Sequence, residues 1–280
     1  MASLYIVSTP IGNLGDFTYR AVEILSRVTH ILAEDTRRTS ILLRHYGIEG
    51  RPVSAHAHNE ESRAAQVVDW LGAGEDVAIV SDAGTPLISD PGARLARAAL
   101  NAGHEVIPVP GASAALAALV VSGIEPEPFT FVGFLPRSGG SRTRAIEAAA
   151  ASRSTTILFE APGRLVKLLG TLEAACGGDR RVAVARELTK LHESTFRGTL
   201  SEARAYYQDT AVRGEIVVVL AGAPSAGAST DPVEAERVVR ALLENGLKPS
   251  AAAREAARVL GIARRDAYRL ALGVTESGKE

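Results

Sequence analysis

The sequence has very little cysteine and no long hydrophobic run. Its single cysteine, Cys176, excludes an internal disulfide framework and any multi-cysteine metal site. The longest apolar run, residues 114–121, is far shorter than the roughly 20 residues that span a bilayer. The first residues, MASLYIVSTPIGN, lack a basic segment followed by a long apolar stretch, so we expect no signal peptide and a cytoplasmic protein with no membrane partner.

The motifs of several enzyme classes are also missing. No glycine-rich loop carries a Walker lysine, which argues against nucleoside triphosphate hydrolysis. No G-x-S-x-G elbow is present, as a serine hydrolase of the α/β type would require. His56 and His58 are two residues apart but have no matching cysteine or histidine cluster, so we predict no metal site.

The size and charge of the chain point to a folded protein of more than one domain. Its 280 residues suggest two domains, with room for a small addition, and 46% of them are hydrophobic. The formal net charge is −1, from 31 basic and 32 acidic residues. Any contact with nucleic acid must therefore come from local patches of positive charge.

Short β-branched runs alternate with helical patterns along most of the chain. We predict a first α/β domain over residues 1–122, with a mostly parallel sheet because its strands are continuous apolar runs separated by helices. Its predicted strands cover 4–8, 30–33, 77–81 and 105–109, and its helices cover 18–28, 38–46, 60–73 and 91–102. The segment SGIEPEP at 122–128 breaks the pattern and marks a boundary.

A second α/β domain is predicted over residues 123–222. Its predicted strands cover 129–134, 155–159, 182–186 and 215–220, and its helices cover 141–152, 162–175 and 201–211. A linker rich in glycine, alanine and serine follows at 223–232. The last segment, 233–280, is helical, with helices at 233–245, 250–260 and 264–272 whose short turns resemble a helix-turn-helix.

Three loops at predicted strand ends have unusual sequences. They are Ser8–Asp16 (STPIGNLGD), Ser81–Gly92 (SDAGTPLISDPG) and Pro108–Ala114 (PVPGASA). Ligands of parallel α/β sheets bind at the carboxyl ends of the strands, and glycines let a backbone approach a ligand closely. Asp82 at its strand end is expected to contact a ligand, whereas Asp90-Pro91 is explained by a helix N-cap. The first loop could equally be a tight turn, and Ser113 could simply cap a helix.

Read together, these loops resemble one known family. The strings LYIVSTPIGNLGD, AEDTRRT, SDAGTPLISDPG, PVPGASA, FVGFLP, FEAPGRL, RELTKLHE and RGTL occur in order along the chain. They resemble the tetrapyrrole-methylase-like (class III) S-adenosylmethionine (SAM) methyltransferases, and within them those that modify small-subunit ribosomal RNA. The resemblance covers nearly the whole chain, including the helical tail. It implies two α/β domains plus a small C-terminal helical domain, SAM bound in the cleft between the domains, and a homodimer.

The resemblance also implies an activity and a cofactor site. The expected activity is 2′-O-methylation of a decoding-centre cytidine in 16S rRNA, with the small ribosomal subunit as partner. The positions that match SAM contacts in relatives are Pro10, Asp82, Thr85, Pro86, Ser113, Ala114, Phe159, Leu188 and Val217. The first loop is poorer in glycine than in relatives that methylate porphyrin-like rings, which fits a different acceptor.

Catalysis by such an enzyme mainly requires that donor and acceptor be held in line. A ribose hydroxyl is a weak nucleophile, so a base, or a charge that stabilises the alkoxide, is expected. Lys190 is our candidate for the charge, and Glu34 and Asp35 are further catalytic candidates. Arg37 and Arg38 would hold rRNA phosphates. Alternatively, Glu34 and Asp35 only pair with these arginines.

Two segments carry excess positive charge suited to RNA. The tail between Asn245 and Leu272 has six basic residues against two acidic ones, and residues 133–153 have four against one. The predicted RNA contacts in these segments are Arg137, Arg142, Arg254, Arg258, Arg264 and Arg265. A solvated helix face would explain the same charges.

Two other functions remain open at this point. A small-molecule methyltransferase acting on a tetrapyrrole-like ring shares the fold and cofactor but has no need of a basic tail. A transcription regulator would use the tail on DNA, yet the last helix offers no asparagine or glutamine to read base edges.

Overall fold

The computed structural model describes residues 2–56, 59–224, 232–260, 262 and 264–277. These residues form two compact units, Met1–Ala221 and Gly222–Glu280. His58 and residues 225–231 of the predicted linker lie outside the described part.

The first sheet of the larger unit is wholly parallel, as predicted. Its strands are β1 (Ser3–Val7), β2 (His30–Ala33), β3 (Val53–Ser54), β4 (Val77–Val80) and β5 (Glu105–Val109), in the order β3-β2-β4-β1-β5. The helices between them are α1 (Tyr19–Arg27), α2 (Thr36–His45), α3 (Glu60–Gly72) and α4 (Ala93–Asn101). Strand β3 was not predicted, because a two-residue strand carries no sequence pattern.

Helices cover both faces of this sheet, which explains why its strands are continuous apolar runs. The α1 and α2 side chains Leu25 and Leu43 pack with Val7 and Val80 on one face. On the other face, α3 and α4 pack against β1 and β4, with Leu4 fully buried among them. Burying such side chains is worth about 1.5–3 kcal/mol each.

The second sheet is mixed rather than parallel. Its strands are β6 (Phe129–Phe134), β7 (Thr155–Glu160), β8 (Arg181–Arg186), β9 (Ser194–Thr199) and β10 (Ile216–Leu220), in the order β6-β7-β10-β8-β9. Only the β6–β7 pair is parallel; the other three pairs are antiparallel. Strand β9 was missed because its sequence STFRGT is polar, as an edge strand facing solvent can be.

Alternate residues of the second sheet face different helices. Val218 packs with α6 (Gly139–Ala151), α7 (Leu165–Cys176) and α8 (Leu200–Gln208) on one face. Val217 and Val219 pack with α5 (Ala114–Ser122) on the other. Ile11, from the first loop of the chain, is buried in the same cluster as α5. The part of the chain before residue 122 therefore contributes both a helix and a loop to the core of the second sheet.

The smaller unit contains three described helices. They are α9 (Pro232–Glu244), α10 (Pro249–Leu260) and α11 (Arg264–Ser277). Small side chains such as Ala253, Ala256 and Ala267 are fully buried among Val239 and Leu260, so the helices can approach closely. None of the helices that the structure describes is long and apolar enough to cross a bilayer.

Candidate active site

The three unusual loops meet at the carboxyl edge of the first sheet. Thr9 and Gly84 exchange two backbone hydrogen bonds, of 2.8 and 3.0 Å, which join the loops after β1 and β4. Ser8 N donates to Val109 O at 3.1 Å, which joins the loops after β1 and β5. The Ser8 hydroxyl donates to the Thr85 hydroxyl at 3.2 Å. The loops thus form one connected surface.

Gly111 is required by the close packing of these loops. A Cβ atom added there would lie 2.9 Å from Ser8 Cβ, closer than real carbon atoms approach. A side chain at position 111 would push the loop after β5 away from the loop after β1. The glycine therefore allows the loops after β1 and β5 to pack closely together beside an open space.

That open space is a cavity of about 710 Å³, a size typical of sites for drug-sized ligands and cofactors. Loops of the first sheet form one side of it, and the ends of β7 and β10 form the other. Six predicted cofactor residues line it: Asp82, Thr85, Ser113, Ala114, Phe159 and Val217. The resemblance is therefore matched by a cavity of suitable size between the two sheets.

The other three predicted cofactor residues lie elsewhere. Pro10 is buried and lines a smaller neighbouring cavity. Pro86 is buried in the loop after β4 and does not line either of the two described cavities. Leu188 packs in the core cluster with Ile11. None of these three residues lines the large cavity, and Pro10 lines the small one.

Sequence reasoning missed several residues that line the large cavity. They include Ile88, Ser89, Pro110, Glu160, Glu215 and Ile216. Glu215 immediately precedes β10 and Ile216 is its first residue, where the sequence showed only a short apolar strand. Leu87 and Ser89 have positive φ angles of 73° and 69°, so the loop after β4 adopts a backbone that side chains rarely favour. No propensity argument predicts such a loop.

A second cavity, of about 140 Å³, adjoins the first. Arg38 and Asp82 line both cavities, and their side chains form an ion pair at 3.5 Å. The remaining walls of the small cavity come from the first loop, including Gly12, and from α2. The Arg38–Asp82 pair therefore forms a shared wall, which borders both the large and the small cavity.

Two further carboxylates, Glu34 and Asp90, are influenced by the charge of Asp82. Burial raises the pKa of Glu34, and the charge of Asp82 adds to the effect. Burial, together with the charges of Glu34 and Asp82, raises the pKa of Asp90 to about 6. Asp90 is not the helix N-cap that the sequence suggested. Helix α4 begins at Ala93 with Gly92 as its cap residue.

The cap of α4 comes from a different helix. Glu60 Oε1, on α3, accepts hydrogen bonds from Gly92 N at 2.8 Å and Arg94 N at 3.0 Å. A carboxylate there satisfies the unpaired N–H groups and interacts well with the helix dipole. Asp90 is thereby left to line the large cavity.

The raised pKa of Asp90 predicts a pH-dependent stability. The unfolded chain releases this proton near pH 4, whereas the folded chain holds it to about pH 6, so the free energy of unfolding falls as pH rises between these values. Asp90→Asn should therefore stabilise the cofactor-free protein above pH 6 by roughly 1 kcal/mol, allowing for solvent screening, and not below pH 4. Urea titrations of both proteins at pH 4 and pH 7.5 measure this. An equal difference at the two pH values would contradict it.

Asp35, one of the catalytic candidates, caps α2. Its Oδ1 accepts from Arg37 N at 2.9 Å, and its carboxylate pairs with the Arg37 guanidinium at 2.9 Å. The side-chain hydrogen bond from Arg37, together with that from Arg37 N, lowers the pKa of Asp35 to about 2. Such a carboxylate is a poor proton acceptor at neutral pH. The pairing considered as the alternative in the sequence is present for Asp35 and Arg37.

The Lys190 side chain contacts one residue that lines the large cavity and one that lines the small cavity. Its Nζ donates to Glu187 Oε1 at 2.9 Å and lies 3.3 Å from Oε2 of Glu215, which lines the large cavity. Its alkyl chain covers Gly12, which lines the small cavity; a Cβ atom at Gly12 would collide with Lys190 Cγ. Burial alone would lower the pKa of Lys190, but the two glutamates outweigh it and the net pKa is raised.

The backbone around Lys190 is held in an unusual conformation. Glu187 and Thr189 both have positive φ angles, of 53° and 67°. Glu187 Oε1 also accepts from Glu215 N at 2.9 Å, and Glu193 Oε2 accepts from Thr189 N at 2.6 Å. Strained residues of this kind persist only where their surroundings hold them, and they cluster at functional sites. The ammonium group of Lys190 is thus fixed in position and charged.

The arginines predicted to bind RNA differ in exposure. The side chains of Arg37 and Arg38 are 88% and 65% exposed, respectively. Arg137 is exposed before α6, and Arg254 and Arg265 are exposed in the smaller unit. The side chains of Arg258 and Arg264 lie outside the described residues.

Arg142 differs from the others because it is mostly buried. Its side chain is 11% exposed, donates to Pro136 O at 3.0 Å and lies 3.7 Å from Oε2 of the fully buried Glu160. Arg164 pairs with the other oxygen of Glu160. Arg142 thus compensates a buried carboxylate, and its geometry favours a structural role over a phosphate contact.

Comparison with known proteins defines the class. The model of the tetrapyrrole (corrin/porphyrin) methylases matches residues 3–204, and a model described as the RsmI C-terminal HTH domain matches residues 229–274. The solved structure of the methyltransferase CobJ shares the fold, with a TM-score of 0.60 and 18% identity over 80% of this chain and 95% of that one. The chain belongs to the tetrapyrrole methylase family.

Curated relatives are similar over almost the whole chain. Ribosomal RNA small subunit methyltransferase I of Synechocystis sp. is 44% identical over 279 residues, which is 99% of this chain and all of the relative. The protein of the same name from Micromonospora olivasterospora is 46% identical over 267 residues, 95% of this chain and 85% of the relative. The resemblance and the predicted fold class are confirmed.

The chain is a methyltransferase whose cofactor is SAM. The large cavity fits this group in size, and its lining is mainly apolar with a few polar side chains such as Ser113 and Asp82, as in most cofactor sites.

Proposed function

We propose that the protein transfers a methyl group from SAM to the ribose 2′-oxygen of a cytidine in 16S rRNA of the small ribosomal subunit. The observation that carries this proposal is the 44% identity, over the full length of both chains, to a ribosomal RNA small subunit methyltransferase I. The similarity extends through the helical tail, which a separate family model also matches. We also propose that this cytidine lies in the decoding centre.

The residues of the large cavity would hold the cofactor. When bound, SAM supplies an electrophilic methyl group on a sulfonium sulfur. Phe159 and Val217 offer apolar contact from the second sheet, while Asp82, Thr85 and Ser113 offer hydrogen bonds from the first. Pro10, Pro86 and Leu188 shape the walls behind, and Ala114 leaves room for the ligand.

Lys190 stabilises negative charge that develops on the acceptor oxygen. Its raised pKa keeps the amine protonated at neutral pH, so it acts as a fixed positive charge rather than as a base. Glu34, with its raised pKa, is better suited than Asp35 to take a proton, although it lines neither of the two described cavities. Its charged neighbours Asp82 and Arg38 line both cavities, so Glu34 would act through them.

Arginine side chains provide the contact with rRNA. Arg37 and Arg38 are exposed at the start of α2, beside the shared wall. Arg137 in the larger unit, and Arg254 and Arg265 in the smaller unit, are further exposed basic side chains. Contacts of this kind position the RNA by its phosphates without reading its sequence.

Methylation of a tetrapyrrole-like small molecule is the second candidate. The solved structure of CobJ shares this fold at 18% sequence identity, and this similarity is evidence for the fold but not for the substrate. The basic tail, with six basic residues against two acidic ones between Asn245 and Leu272, favours a polyanionic acceptor instead. A homodimer, a cytoplasmic location and the domain boundaries at residues 122 and 222 stay predictions of the sequence.

The test uses small ribosomal subunits from cells that lack the protein. With methyl-labelled SAM, the purified protein should label 16S rRNA at a single cytidine ribose, and subunits from cells that contain it should accept no label. Mapping of ribose methylation identifies the position. Label in a precorrin-type ring instead of rRNA would support the second candidate, and no transfer to either acceptor would contradict both.

A further inference from the structure

The small cavity next to the cofactor cavity has the size of one ring. Its volume is about 140 Å³, close to the cavity of about 150 Å³ that holds a benzene molecule in another protein. A six-membered heterocycle fits in such a space, whereas the whole of SAM does not.

The hydroxyl of Thr39 lines this cavity and makes no hydrogen bond with another described residue. The residue is only 3% exposed, on α2, and lines the cavity. The neighbouring hydroxyls are engaged, since Thr9 donates to Ser81 O at 3.1 Å and Ser81 donates to Gly84 O at 3.0 Å. Within the described part of the chain, the Thr39 hydroxyl has no hydrogen-bond partner. The hydroxyl is not among the fully buried side-chain atoms of the described residues that lack a partner, so it is open to the cavity, where a ligand can pair with it.

The rim of the cavity is apolar and open to solvent. Ile41 on α2 is 62% exposed and Leu14 in the first loop is 36% exposed, and both line the cavity. Pro10 and Leu42 lie deeper. Apolar side chains on opposite walls suit the two faces of a planar base, and the polar groups between them suit its edge.

The charged pair at the shared wall adds a donor and an acceptor. Asp82 Oδ1 accepts from Asp35 N at 3.0 Å, and Oδ2 faces Arg38. Aspartate accepts hydrogen bonds from the amino group of cytosine, and arginine donates to ring acceptors. Because this pair also lines the cofactor cavity, the small cavity lies directly beside the space that would hold the methyl donor.

We propose that the small cavity binds the pyrimidine base of the acceptor nucleotide and that the Thr39 hydroxyl pairs with the edge of that base. The proposal rests on the proposed function, because it assumes an RNA acceptor. The base leaves its stack to enter the cavity, as in other enzymes that modify nucleotides. Thr39 is in this view a specificity residue, and the arginines outside the cavity contribute only affinity.

The experiment compares Thr39→Val, which removes the hydroxyl at nearly constant shape, with Thr39→Ser, which keeps it. Small subunits from cells lacking the protein serve as substrate. The valine variant should lower kcat/KM roughly 10- to 100-fold, because a polar edge of the base loses its partner. The serine variant should stay within about threefold of the natural protein. Affinity for SAM by calorimetry and the melting temperature should be unchanged in both.

A second measurement addresses base choice. Subunits reconstituted with uridine at the mapped acceptor position should be poor substrates for the natural protein and relatively better ones for Thr39→Val. Full kcat/KM with full discrimination in the valine variant would overturn the proposal. So would a loss of SAM affinity in that variant, or an equal loss in the serine variant, which would point to packing. Failure of the natural protein to methylate any subunit would instead refute the proposed function.

Discussion

Replacing Lys190 with methionine should lower kcat for methyl transfer to the small subunit about 100- to 1000-fold. That is the effect of removing one preorganised charge or donor from a developing oxyanion. Methionine keeps the length of the side chain over Gly12, so the first loop stays supported. The dissociation constant for SAM should change less than threefold, because Lys190 lines neither described cavity.

Three further variants separate charge from structure. Lys190→Arg keeps the positive charge and should recover part of the rate. Lys167→Met removes an exposed lysine from α7 and serves as the matched control with no expected effect. Glu187→Gln weakens the fixation of the ammonium group and should reduce kcat less than the loss of the lysine itself. Single-turnover rates with saturating SAM measure the step. A Lys190→Met protein with full turnover would remove this residue from the mechanism.

The pH profile gives an independent check on the role of Lys190. The glutamates beside it raise its pKa above the ordinary value, so its charge is constant between pH 6 and pH 9. A rate that falls over this range with the ionisation of an amine would contradict a role as a fixed charge.

Local sequence patterns predict most of the strands and helices. They fail where packing between residues distant in the sequence determines the structure. The continuous apolar runs of β1, β4 and β10 predict buried strands, and each strand is present within one residue of the expected bounds. Strand β9 has no apolar pattern because its position at the sheet edge, set by pairing with β8, leaves it exposed. Asp90 has the signature of an N-cap, but Glu60 from another helix takes that role.

The same limit applies to the site. Glycine-rich and hydroxyl-rich loops after strands identify the carboxyl edge of the first sheet, because backbone turns of this kind are encoded locally. The burial of Arg142 depends on Glu160, which is 18 residues away and on a different element, so counting charges along the sequence assigns it to the surface. The small cavity depends on how α2 packs against the first loop, and Thr39 within RRTSILLRH carries no local signal.

Removing positive charge from the tail should weaken binding to the small subunit strongly and uniformly. Arg254, Arg265 and Arg269 are exposed on α10 and α11, and only Asp266 lies near the last two among described residues. The Arg254→Gln, Arg265→Gln, Arg269→Gln triple variant should bind subunits about 10- to 100-fold more weakly at 0.1 M salt. The slope of log affinity against log salt should fall by about 2 to 3, since each phosphate contact contributes nearly one.

The control carries the same change of net charge at other sites. Arg20, Arg51 and Arg97 are exposed in the larger unit, and their replacement by glutamine should leave both affinity and salt slope almost unchanged. Single-turnover methylation at saturating subunit concentration should be normal in the tail variant, because its cavities are untouched. Equal losses in the two triple variants would assign binding to net charge rather than to the tail. Unchanged affinity in the tail variant would leave the helical unit without a role in holding RNA.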